Sequence, residues 1–84
     1  MYIIISFRSR TDTLVFSKLL NSYGVKNSVT NTPRQVSVSC GISVKIEEKS
    51  LEIARNLLKR RVFSSFAGIF MLIPTNYGFE VKKI

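Results

Sequence analysis

The chain contains no histidine and no tryptophan, one cysteine, two prolines, four glycines and five acidic residues. Each scarcity removes a class of function. Without histidine the usual neutral-pH acid–base group is missing, and a histidine-assisted cysteine nucleophile cannot be built from one copy. A single cysteine allows no internal disulfide, which fits a reducing compartment. One thiol and scattered carboxylates close no metal shell, and Glu47-Glu48 with Glu52 reads instead as acidic charge placed at a helix start. The glycines form no phosphate-cradling loop. An independent enzyme is therefore not expected, nor a bound cofactor or metal. The longest apolar run, Phe66 to Ile73, is less than half the length a helix needs to span a bilayer. Met1 to Phe7 lacks the basic leader and small-residue cleavage site of a secretory signal. The expectation is a cytoplasmic protein without a membrane partner.

What is present supports a folded domain. Hydrophobic residues make up 45% of the 84, including six Phe and three Tyr, enough to build a core in a chain whose surface-to-volume ratio is unfavourable. One domain is expected over 1–84, with a core over 1–73 and a C-terminal extension over 74–84. Thirteen Lys and Arg against five acids leave a net charge of +8. Such an excess attracts polyanions, acidic partners or anionic small molecules. Spread along the chain as it is, the same charge also suits a merely solvated basic surface.

Hydrophobic spacing orders the elements. Tyr2 to Phe7, with three consecutive Ile, reads as a strand buried on both faces and central in its sheet. Thr11 or Asp12 is the expected cap of a helix whose stripe is Val15, Phe16, Leu19, Leu20 and Tyr23, and Gly24 ends it. Val25 to Thr30 reads as a polar edge strand, broken at Asn31-Thr32-Pro33-Arg34. From Val36 to Ile46 apolar residues alternate strictly with polar ones, the signature of a half-buried strand that Gly41 could split. Leu51, Ala54, Leu57 and Leu58 form the buried face of a second helix that ends at Lys59-Arg60-Arg61. Phe66 to Ile73 is a further strand, Pro74 to Gly78 a turn, and Phe79 to Ile84 a short extra strand. The order is α+β: a ferredoxin-like βαββαβ antiparallel sheet, strand order 4-1-3-2, with two helices on one face and a C-terminal strand extension.

That topology would bring Arg8 and Arg10, which follow the first strand, to the sheet edge that also holds Arg34 and Cys40. A thiol beside guanidinium groups and free helix amides ionises more readily, because those groups stabilise the anion. The thiolate is the nucleophile, and it is also the species that holds a transferable sulfur or selenium. The alternative is a packing role: Cys40 falls on the apolar register of Val36, Val38 and Ile42, where a buried cysteine serves as a small hydrophobe. Ser37, Ser39 and Ser43 would then lie on a wet strand face.

At these residues the sequence resembles the small bacterial proteins described as selenium/sulfur carrier protein-like, a family also classed as a domain of unknown function. The likeness runs from Ile3 to about Ile73. It is carried by the opening strand with Phe7 and Ser9, the helix ending at Gly24, Pro33-Arg34, a spacer with Ser37, Cys40-Gly41, and the late glycine of Gly68-Ile69-Phe70. The resemblance implies Cys40 as the carrier position, with Pro33, Arg34 and Gly41 shaping its loop; Ser39 is expected to support the same loop, and the topology leaves Arg8 and Arg10 able to stabilise an anion there. It implies sulfur or selenium donor and acceptor proteins as partners. Two other readings stay open: a nucleic-acid or acidic-partner binding module, suited by the charge but lacking an aromatic strand platform, and a small oligomerising or regulatory domain pairing as a homodimer.

Overall fold

In a computed structural model of the chain, residues 1–36 and 41–84 are described. The elements are β1 (Tyr2–Phe7), α1 (Arg10–Ser22), β2 (Asn27–Asn31), β3 (Ile42–Glu47), a 3-10 turn over Glu48–Ser50, α2 (Leu51–Arg60), β4 (Phe66–Thr75) and β5 (Gly78–Lys83). Among the described residues the strands form one antiparallel five-stranded sheet in the order β2-β3-β1-β4-β5. This differs from the four-strand order expected from sequence. The residues after Pro74 pair along β4, from Thr75↔Gly78 to Phe70↔Lys83, so β4 is no longer an edge. The two-residue reversal at Asn76-Tyr77 makes this possible by returning the chain directly onto β4, with Gly78 at φ +127° where side chains are disfavoured.

β1 is central, hydrogen-bonded to β3 on one side and β4 on the other, which is why residues 3–7 are buried without alternation. Its side chains serve two cores. Ile3, Ile5 and Phe7 face the helices and join Phe16 and Leu20 of α1, Ala54 and Leu57 of α2, and Val44, Ile46 and Ile69 of the flanking strands. Phe7 lies at the centre of an aromatic group, its ring 5.4 Å from Phe16, 5.3 Å from Phe63 and 5.9 Å from Phe66. Ile4 faces the other way, onto a smaller cluster with Val36, Phe70 and Leu72, backed by Val81 of β5. Burying side chains of this size contributes roughly 1.5–3 kcal/mol each, so β1 supplies much of the stability of both faces.

The first helix is capped two to three residues earlier than expected. Ser9, not Thr11 or Asp12, is the N-cap: its backbone is extended (φ −101°, ψ 127°) and its hydroxyl accepts from the Asp12 amide. Asp12 is engaged elsewhere, accepting from the Ser65 hydroxyl at 2.6 Å and so tying the start of α1 to the approach to β4. The helix ends as the glycine predicts. Gly24 takes φ +72° and its amide returns to the Asn21 carbonyl.

Of the single strand expected over Val36 to Ile46, the described residues show only the part from Ile42 onward. β3 begins at Ile42, and Val44 and Ile46 face the helices whereas Val36 packs on the opposite, helix-free face. The alternation in sequence is real but serves two different surfaces. Gly41, at φ +98°, adopts a conformation that side chains disfavour, and β3 starts immediately after it.

Antiparallel pairing fixes what shares an edge of the sheet. The ends of β1 and β2, the starts of β3 and β4, the first turn of α1 and the last turn of α2 all lie at the same edge. Two backbone bonds join these segments directly: Arg8 N–H to the Ser65 carbonyl at 2.7 Å, and Thr32 N–H to the Gly41 carbonyl at 2.9 Å.

Candidate functional site

From Thr32 the chain leaves the edge and reaches the helix-free face at Val36. Pro33 starts a tight turn, closed by the Val36 amide donating to the Pro33 carbonyl at 3.0 Å, with Arg34 and Gln35 exposed at its tip. Val36 then anchors the segment, only 6% exposed against Ile4, Phe70 and Leu72. The Thr32–Gly41 backbone bond closes its base. Ser39 and Cys40 lie outside the described residues, as do Ser37 and Val38.

Beneath the closure runs a chain of three hydroxyls that sequence reading did not find. Thr32 Oγ1 lies 2.7 Å from Ser43 Oγ, which lies 3.1 Å from Ser6 Oγ. Ser6 and Ser43 are directly opposite in the β1–β3 register, and both are completely buried. Ser43 had been expected on a wet strand face. The sequence signal was that Ser6 interrupts an apolar strand, while Ser43 stands at an ordinary polar position of an alternating one, and only pairing of distant strands makes them partners. A buried hydroxyl without a partner is costly, so the pair selects the position of Thr32 and with it the base of the segment.

The other predicted residues take the following places. Gly41 ends the segment and Pro33 opens it, bordering a groove of about 360 Å³ on the helix-free face whose walls include Gln35, Leu72, Phe79 and Val81. Arg34 is exposed at the turn. Arg8 and Arg10 are exposed at the same edge, Arg8 directly after β1 and Arg10 as the first residue of α1. The edge is thus rich in guanidinium: Arg8, Arg10, Arg34, Arg60 and Arg61 all belong to it, every arginine of the chain except Arg55. Three of the acids, Glu47, Glu48 and Glu52, stand at the opposite edge, where β3 ends and α2 begins. The ion pair found among the described residues, Lys49 with Glu47 at 3.9 Å, is also at that far edge.

The sequence pattern of one family matches residues 2–64 of the 84, the family described as Putative Se/S carrier protein-like. The chain belongs to that family. No curated protein and no solved structure matches it. The match includes the whole Thr32–Gly41 segment and both helices but stops before β4 and β5, so the outer part of the sheet, with Phe79 and Val81 on the groove, is not part of what the family match covers. Among the described residues no group of His, Cys, Asp or Glu is placed to hold a metal ion, and no helix is long and apolar enough to cross a membrane.

Proposed function

We propose that the protein is a carrier that holds sulfur or selenium on Cys40 and passes it on, on a ferredoxin-like frame extended by β5. The observation that carries this reading is the family match spanning Pro33-Arg34 and Cys40-Gly41. In sulfur transfer, the Cys40 thiolate attacks the terminal sulfur of a donor's persulfide. A new S–S bond forms to Cys40, the donor's own S–S bond breaks, and the donor leaves as thiolate. Transfer to an acceptor thiolate repeats the exchange in the other direction, without net oxidation. The protein's part is to keep the adduct anionic and presented. Arg34 at the turn and Arg8 and Arg10 across the edge favour the negative form. Pro33, Ser39 and Gly41 shape the loop, and the Thr32–Gly41 closure with the hydroxyls beneath it holds its base.

The test is incubation of the reduced protein with a cysteine desulfurase and cysteine, followed by intact-mass analysis. One added sulfur on wild type and none on Cys40→Ser is the expected result. Failure to load under conditions that load an established carrier overturns the reading. Loading from a small selenopersulfide (RS–SeH), in which Cys40 takes the selenium and RS leaves as thiolate, is read in the same way and tells selenium from sulfur by the mass added.

A further inference from the structure

The arginine-rich edge has a second part, away from the Thr32–Gly41 segment. Arg8 is bonded through its amide to Ser65, and Ser65 is bonded to Asp12 in the first turn of α1, so Arg8 and Arg10 flank the approach to β4. From the other side come Lys59, Arg60 and Arg61 at the end of α2. Between them the chain exposes apolar surface. Val62 is 88% exposed and Phe66 38%, and with Leu58 and Phe63 they line a notch of about 300 Å³. Arg61 lies over the Phe63 ring, its Cζ 5.2 Å from the centroid. Among the described residues none of these five cations is ion-paired, and the one neighbouring carboxylate, Asp12, is already held by Ser65.

We infer that this edge binds single-stranded nucleic acid, with phosphates along Arg8, Arg10, Lys59, Arg60 and Arg61 and one base seated in the notch against Phe66. Guanidinium forks match phosphate oxygens. An aromatic ring flanked by cations is the arrangement by which single strands are held without sequence readout. A surface serving only an acidic protein has no need of a slot between its cations that takes a flat ring. The inference does not rest on Cys40.

The test is fluorescence anisotropy with a short labelled RNA, its DNA counterpart, a blunt duplex and a glutamate-rich peptide of equal charge, each titrated with salt. Single strands are expected to bind more tightly than the duplex and the peptide. With the five cations engaged, log K should fall against log salt with a slope of about −3 to −4. Arg60→Gln and Arg8→Gln should each lower the magnitude of that slope by about 0.7, while Arg55→Gln, outside the edge, leaves it nearly unchanged. Phe66→Leu should weaken binding about tenfold, and Val62→Asp, at a position too exposed to affect folding, should weaken it as well. Equal binding of peptide or duplex overturns the inference. So does equal sensitivity to Arg55, or no binding at low salt.

Discussion

Replacing Ser43 by alanine deletes one oxygen and strands two hydroxyls. Ser43 Oγ is the middle member of the Thr32–Ser43–Ser6 chain. Ser6 is completely buried, and its Oγ then has no partner, at about 1–3 kcal/mol. Thr32 is only partly buried and can turn to water, so its loss is smaller, about 0.5–1 kcal/mol. The expected cost of Ser43→Ala is therefore about 2–3 kcal/mol, a large share of the roughly 4–12 kcal/mol available to a chain of this length. Ser6→Ala leaves Ser43 bonded to Thr32 and should cost less, about 1 kcal/mol. The discriminating variant is the double one. With both hydroxyls gone no buried donor is orphaned, so Ser6→Ala/Ser43→Ala should cost about 1 kcal/mol less than the sum of the singles. Urea unfolding followed by far-UV circular dichroism measures all three, provided the slopes agree. In the Ser43 variant the Thr32 amide should also exchange with deuterium faster, because the closure onto Gly41 is loosened. Strict additivity, or a Ser43→Ala cost below about 0.5 kcal/mol, would show that the hydroxyl chain does not hold the segment.

Three further outcomes follow from the same geometry. Ser9→Ala should lower stability by about 1 kcal/mol while Thr11→Ala changes it little, because Ser9 caps α1; thermal melts separate the two. Gly41→Ala should cost about 1–2 kcal/mol at φ +98°, where open space around the missing Cβ leaves backbone strain as the cause; because the strain sits at the closure, sulfur loading of Cys40 should slow as well, read by mass. Phe7→Leu should cost about 2 kcal/mol through its contacts with Phe16, Phe63 and Phe66, whereas Phe79→Leu, at a residue 62% exposed at the start of β5, should stay within about 0.5 kcal/mol.

The element order was legible in the chain because hydrophobic spacing is a local property. The three isoleucines of β1, the α1 stripe closed by Gly24, and the Ala54–Leu57 face of α2 each needed only neighbours a few residues away to be recognised. The central place of β1 and the edge place of β2 followed from how polar each run is. The extra C-terminal strand was visible as a pattern, but its partner was not. The family resemblance, too, came from the spacing of Pro33-Arg34 and Cys40-Gly41, and the family match bears it out.

What remained hidden depends on which distant residues meet. Val36 looked like the first member of a strand that continues to Ile46, since a period of two says nothing about which face a segment covers once Gly41 turns the chain. Ser6 and Ser43 are far apart in sequence, the one inside a buried strand and the other on a face that reads as wet; opposite one another in the register, they become a buried pair that fixes Thr32. The charge followed the same rule. Composition determined that the protein is strongly basic, and the expected element order already carried Arg8, Arg10 and Arg34 to one edge; it is the tertiary pairing that sets five arginines there and most of the acids at the other, because antiparallel pairing decides which chain ends share a side.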